Sequence, residues 1–252
     1  MRLSDFDVLS FDCYGTLIDW ESGIWTALQP LLARVVSAGM GLSRSGIELT
    51  RDDALEAFAR LEARQQETTP DMAYPDVLAA VHQQLAIEWE VEADPAEDAA
   101  FGGSIAAWPP FPDTIEALRY LKQHFRLVIL SNVDRASFQA TNQVLGVAFD
   151  AIYTAQDIGS YKPDRRNFAY LIDRLREQGV AKEKLLHVAQ SLFHDHVPAQ
   201  ASGITSAWID RRHETGGSGA TAPVSADVRY DFRFLSLGAL AESHRSESAD
   251  AS

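Results

Sequence analysis

Ser10-Phe11-Asp12-Cys13-Tyr14-Gly15-Thr16-Leu17-Ile18-Asp19 closes the mainly apolar run from Phe6 to Phe11. An apolar run that ends in Asp-x-x-Gly-Thr reads as a buried parallel strand, about Asp7 to Phe11, entering a tight loop. In an open α/β sheet the carboxyl ends of the strands are where ligands bind. A carboxylate placed there can attack an electrophilic carbon or phosphorus, because covalent catalysis by Asp divides one difficult step into two easier ones. On its own such an Asp is more often a turn or N-cap residue. The rest of the chain shifts that balance.

Downstream of this loop the pattern turns helical and stays so to about Trp108. Ile24, Trp25, Leu28, Leu31, Leu32 and Val35 have helix spacing, and Leu55, Phe58, Ala59 and Leu61 follow Thr50, an N-cap with Asp53 three residues on. Val77, Leu78, Val81 and Leu85, and the segment from Ala96 to Trp108, read as helix too. The proline-rich junction Trp108-Pro109-Pro110-Phe111-Pro112-Asp113 ends this block. After it, helical stretches (Thr114 to His124, Asp134 to Leu145, Asp164 to Gln178, Val197 to Ser202) alternate with strand-like runs (Arg126 to Leu130, Ala151 to Thr154, Leu185 to Ala189, Ser206 to Ile209). Alternation of this kind means βαβ units and a parallel sheet.

The expected architecture is therefore α/β: a doubly wound parallel sheet, with a Rossmann-like core formed by residues 1–20 and 109–242. A helical cap, 21–108, is inserted after the first strand. His213 to Val224 reads as a flexible loop, Val228 to Phe232 as a last strand, and 243–252 as a disordered polar tail.

With 46% apolar and 23% charged residues, a chain of 252 residues can build a sizeable core. Its net charge of −14 argues against sequence-independent nucleic-acid binding, which needs clustered Lys and Arg. The single cysteine, Cys13, excludes an intrachain disulfide and fits a reducing compartment. Neither a charged-then-apolar leader nor an apolar stretch of spanning length occurs, so no membrane role and a cytoplasmic location are expected.

Each strand of the expected core ends in polar groups suited to one site. Asp12 and Thr16 follow the first, Ser131-Asn132 the second, and Gln190-Ser191-Leu192-Phe193-His194-Asp195 the run from Leu185 to Ala189; Lys162 precedes a helix start in Ser160-Tyr161-Lys162-Pro163-Asp164. Singly these are turns, caps and surface charge. In this order they resemble the haloacid dehalogenase superfamily, whose motifs are a nucleophilic Asp, a Ser or Thr, a Lys and a terminal carboxylate. Here those are Asp12, Ser131, Lys162 and Asp195, and the helical block lies where that family places its first-type cap.

The phosphatase branch of that superfamily carries a second Asp two residues after the nucleophile, as the acid for the leaving alcohol. This chain has Tyr14, and a phenol with a pKa near 10 is a poor acid at neutral pH. Phosphatases also hold Mg²⁺ with carboxylates of the last motif, where the earlier acidic position is Gln190. The stretch from Phe11 to Asp19, and Tyr161-Lys162-Pro163-Asp164, are instead similar to the L-2-haloacid dehalogenase branch. That resemblance implies hydrolysis of short (S)-2-haloalkanoic acids to 2-hydroxy acids and halide through an aspartyl ester, with no metal or other cofactor. Halide leaves as a stable anion, so the missing general acid is intelligible.

The implied roles are Asp12 as nucleophile, Lys162 holding it ionised, Thr16 orienting it, and Asp195 orienting Lys162 or the hydrolytic water. Tyr14, Ser131, Asn132 and a cap arginine would bind the substrate; Arg60 is the best match for that arginine and Arg64, one turn on, the reserve. The chain departs from the branch at Gln190 and Leu192, where Ser and Asn are usual, and at Phe168, where Tyr is usual. His194 and His196 flank Asp195 and are candidates for the water site. Trp20, Trp25, Tyr74 and Trp108 are either an apolar wall for a small substrate or plain core. Two alternatives stay open: a phosphate-monoester hydrolase, or a member that binds a small carboxylate or a protein without turnover. A homodimer is a further expectation.

Overall fold

The computed structural model describes residues 1–38, 49–213 and 228–250. Six parallel strands form one sheet in the order β3-β2-β1-β4-β5-β6: β1 (Val8–Phe11), β2 (Arg126–Ser131), β3 (Ala151–Thr154), β4 (Leu185–Ala189), β5 (Thr205–Ile209) and β6 (Phe232–Phe234). β1, β4 and nearly all of β2 are buried, which is why they read as unbroken apolar runs rather than alternating ones. β1 pairs with β2 on one side and β4 on the other, so the strand order reverses at its carboxyl end. That switch point is the crevice where α/β sheets bind ligands.

The chain divides into two compact units. The first holds the sheet, with Met1–Asp19 and the chain from Pro110 onward; the second is essentially Trp20–Pro109. The second unit is helical throughout its described residues. It contains α1 (Trp20–Ala27), α2 (Gln29–Ser37), α3 (Arg51–Thr68), α4 (Tyr74–Glu88), α5 (Pro95–Gly102) and a short 3-10 turn, Gly103–Ala107. Thr50 caps α3 by accepting from the Asp53 N–H, and the Asp53 carboxylate takes the Thr50 N–H in return. The expected continuous helix over Ile24 to Val35 is broken at Leu28, because Pro30 in the first turn of α2 has no N–H to continue the ladder. Gly23 lies where a Cβ would fall 2.4 Å from the Trp108 ring, so the two segments meet only through glycine.

In the first unit the helices are α6 (Thr114–Leu121), α7 (Arg135–Leu145), α8 (Ala155–Ile158), α9 (Arg165–Glu177), α10 (Val197–Ala201) and α11 (Leu237–Asp250). Asp134 and Asp164 are the N-caps of α7 and α9. Two expectations give way here. The last strand is not Val228 to Phe232 but Phe232–Phe234, in register with Ala207–Ile209. Phe232 and Phe234 stack on one side, while Arg233 on the other reaches Asp210.

The tail from 243 is helical to Asp250 as part of α11. Its composition is polar, but Leu237, Leu240, Ala241 and His244 form one buried stripe, and Glu247 accepts the N–H groups of Leu3 and Ser4. Most of the loop expected over His213 to Val224 lies outside the described residues. No helix among the described residues is long and apolar enough to cross a membrane.

Candidate active site

β1 delivers Asp12 to the switch point, and the loop after it is fixed by its own backbone. The Asp12 N–H donates to Val188 O of β4, and Cys13 O accepts from the N–H groups of Leu17 and Ile18. Gly15 turns at φ +94°, a conformation that side-chain-bearing residues rarely adopt, and its N–H donates to Ile18 O. From this turn the Thr16 hydroxyl points back and donates to Asp12 Oδ2 at 2.8 Å. Thr16 is itself held twice: the Gln190 N–H donates to its hydroxyl, and the Arg211 guanidinium donates to its carbonyl. Arg211 is fixed by Asp113 and lies 4.0 Å over the Phe111 ring.

Lys162 is buried to 1% exposure and uses all three ammonium donors. It donates to Asp12 Oδ1 at 2.9 Å, to Asp195 Oδ1 at 2.7 Å and to Leu130 O at 3.0 Å. Burial alone would lower its pKa, but Asp12 and Asp195 more than offset that and raise it, so the amine stays charged. Burial raises the Asp12 carboxyl, with Lys162 pulling it down and Asp195 pushing it up. Asp195 is also buried, yet Lys162 and His187 hold it well below the usual carboxylate range. The Cys13 thiol is pushed far up by burial and stays protonated, which leaves it a small core residue.

Asp195 sits in a π-type turn, Leu192–His196, in which the His196 N–H reaches back to Ser191 O. Its Oδ1 accepts from His187 Nε2 at 2.9 Å as well as from Lys162. Its Oδ2 is buried and has no partner among the described residues, and the same holds for Ser131 Oγ at the end of β2.

The structure thus brings Asp12, Thr16, Lys162 and Asp195 into one connected cluster, with Ser131 next in the chain to Leu130. Asn132 ties the cluster together by a two-way amide bridge, its Nδ2 donating to Lys162 O and its Oδ1 accepting from the Lys162 N–H. The Tyr14 hydroxyl is 2.7 Å from Thr141 Oγ1 on α7. Arg60 belongs to the other unit, on the exposed side of α3, with its guanidinium on both oxygens of Glu88. Trp20, Tyr74 and Trp108 are buried within that unit, with Trp20 edge-on to Phe58.

His194 and His196 are occupied elsewhere. His194 Nδ1 is 3.3 Å from Ser191 Oγ, and His196 bridges Ala189 O and Ser206 Oγ. Burial lowers the pKa of each to about 4, so both are neutral at pH 7. The residues that sequence reasoning missed are His187 and Arg211. A His inside Leu185-Leu186-His187-Val188-Ala189 was the available signal for the first, and a charged pair directly after β5 for the second.

Magnesium takes oxygen ligands in a near-octahedral set. Here the cation between the two carboxylates is the Lys162 ammonium, and the residue two after Asp12 is a tyrosine. No cluster of three or more His, Cys, Asp or Glu side chains among the described residues could hold a metal.

A family model described as haloacid dehalogenase-like hydrolase matches residues 6–189. An (S)-2-haloacid dehalogenase from Pseudomonas putida is 32% identical over 107 residues, covering 41% of this chain and 45% of its own length. The chain therefore aligns with less than half of that relative. The solved L-2-haloacid dehalogenase of Xanthobacter autotrophicus, with chloropropionic acid covalently bound, shares the fold at a TM-score of 0.72 and 19% identity, covering 95% of this chain and 98% of that one. A hydrolase of the superfamily from Bacillus subtilis, bound to magnesium, shares it at 0.71 and 20% identity, over 97% and 99% of the two chains.

Proposed function

Because the chain belongs to the haloacid dehalogenase-like hydrolases, we propose that it removes halide from short (S)-2-haloalkanoic acids by hydrolysis, without a metal. The observation that carries this reading is the Asp12–Lys162–Asp195 cluster with Tyr14 in place of an acid. It supplies a fixed nucleophile, and no carboxylic acid stands two residues after it to protonate the leaving alcohol of a phosphate ester.

In this reading Asp12 attacks C2 of the substrate from the side opposite the halogen. The new C–O bond forms as the carbon–halogen bond breaks, and halide departs with the electron pair. The product is an ester on Asp12 with C2 inverted. Lys162 and Thr16 hold the carboxylate in an attacking pose, the orientational part of the rate enhancement. The Ser131 hydroxyl, buried and without a partner among the described residues, is the first candidate to bind the substrate carboxylate. Arg60, paired with Glu88, and Arg64 are the proposed cations for the leaving halide.

The test is halide release from (S)-2-chloropropionate and chloroacetate in EDTA, for wild type and Asp12→Asn. Release by the wild type that the variant loses is the expected result. A folded wild type that frees no halide, yet hydrolyses a generic phosphate ester with Mg²⁺, would replace this reading with the phosphatase one.

A further inference from the structure

His187 and Ser10 face each other across β4 and β1, as partners in the parallel register. Both are fully buried, in strands where an aliphatic side chain would pack at no polar cost. Their polar atoms are connected instead. Ser10 Oγ is 2.8 Å from His187 Nδ1, and His187 Nε2 is 2.9 Å from Asp195 Oδ1. An ionised carboxylate only accepts, so Nε2 carries the hydrogen on that side. On the opposite edge of the ring Nδ1 is held by the Ser10 hydroxyl, which fixes the ring plane. The ring is steadied by Phe168, edge-on at 5.0 Å.

The consequence falls on Asp195. Oδ1 is saturated by Lys162 and His187, while Oδ2 is buried with no partner among the described residues. A buried carboxylate oxygen left without a donor costs free energy, and a water bound there would relieve it. The dehalogenase resemblance implies Ser, Asn and Tyr where this chain has Gln190, Leu192 and Phe168.

We propose that His187, set by Ser10, is a positioning residue that fixes Asp195 so that its Oδ2 accepts the proton of the ester-cleaving water. The proposal rests on the dehalogenase reading. Water oxygen bonds to Cγ of the Asp12 ester and one water proton passes to Asp195 Oδ2. The tetrahedral intermediate collapses, breaking the bond between Cγ and the Asp12 oxygen that had attacked C2, which leaves as the product's alkoxide oxygen. The leaving alkoxide takes the proton from Asp195, and the regenerated Asp12 carboxylic acid loses its own proton to solvent. Atoms and charge balance as ester plus water giving carboxylate, 2-hydroxy acid and a proton.

The experiment compares wild type, His187→Leu, His187→Gln and Ser10→Ala with (S)-2-chloropropionate. It reads halide in the first turnover, steady-state turnover, and ester trapped on the Asp12 peptide by mass spectrometry. His187→Leu should keep the first equivalent of halide but slow turnover on the order of 100-fold, the scale of general-base assistance, with ester accumulating. Ser10→Ala should accumulate ester in the same direction. His187→Gln keeps an N–H donor and should recover at least about tenfold of the loss. If His187→Leu does not fold, Ser10→Ala and His187→Gln decide. Equal loss of the halide burst and of turnover, or turnover unchanged in the folded variants, overturns the role of His187 while leaving the dehalogenase reading intact. No halide from the wild type overturns both.

Discussion

Lys162 is the residue on which the site depends, and its arithmetic makes a prediction. One ammonium serves two buried carboxylates, so removing it strands both. Breaking a buried pair from one side costs about 3–5 kcal/mol, because the uncompensated charge stays behind. Lys162→Met should therefore lower stability to urea by that order as well as abolish activity. Asp12→Asn should behave oppositely as a fold: Asp12 is already pushed toward its neutral form by burial and by Asp195, and Lys162 would keep Asp195 as a full partner. An inactive Asp12→Asn at least as stable as wild type, beside a strongly destabilised Lys162→Met, is the expected pair of urea curves. Equal curves for Lys162→Met and wild type would mean that the buried charges find other partners.

At the scale of single elements, α3 presents a polar group where its pattern calls for an apolar one. Glu62 lies on the buried stripe with Ala54, Leu55, Phe58 and Leu61, and accepts from the Tyr74 hydroxyl at 2.6 Å. Burial raises its pKa from 4.5 to about 7. The folded state then holds its proton more tightly than the unfolded chain. The contribution to stability is intact below pH 4.5 and is lost as pH rises through about 7, by up to about 3 kcal/mol. Glu62→Gln should abolish this loss, so that the variant gains on wild type between pH 5 and pH 8. A constant difference across that range in denaturant titrations would refute the shift.

Legibility followed the same boundary between pattern and pairing. The strands β1 to β5 could be read because each is an apolar run bounded by polar or turn residues, and Asp12, Ser131 and Asp195 because each stands at or shortly after a strand end, with Lys162 legible just before a helix start. Glu62 and His187 could not, since both are polar residues whose partners come from a different element. The α11 helix was hidden by its polar composition, because its buried stripe has meaning only against Tyr120 and Phe125.

Glu62 in the helical unit and His196 in the sheet-bearing unit carry opposite proton linkage. In the sheet-bearing unit, burial depresses the pKa of His196 from 6.5 to about 4. The folded state there binds fewer protons than the unfolded chain, so stability is present above pH 6.5 and is lost as pH falls through about 4. In the helical unit Glu62 works in the reverse sense, losing stability as pH rises from 4.5 through about 7. Each shift is worth up to about 3 kcal/mol. Raising the pH from 5 to 7.5 should therefore tighten β4 and β5 while loosening α3 and α4. Hydrogen exchange resolved by peptide, corrected for the intrinsic pH dependence of exchange, would show protection moving in opposite directions in the two units. In Glu62→Gln the helical unit should stop responding while the sheet still tightens. Parallel movement of both units in the wild type would show that they open as one cooperative body, whose single linkage is the sum of the two.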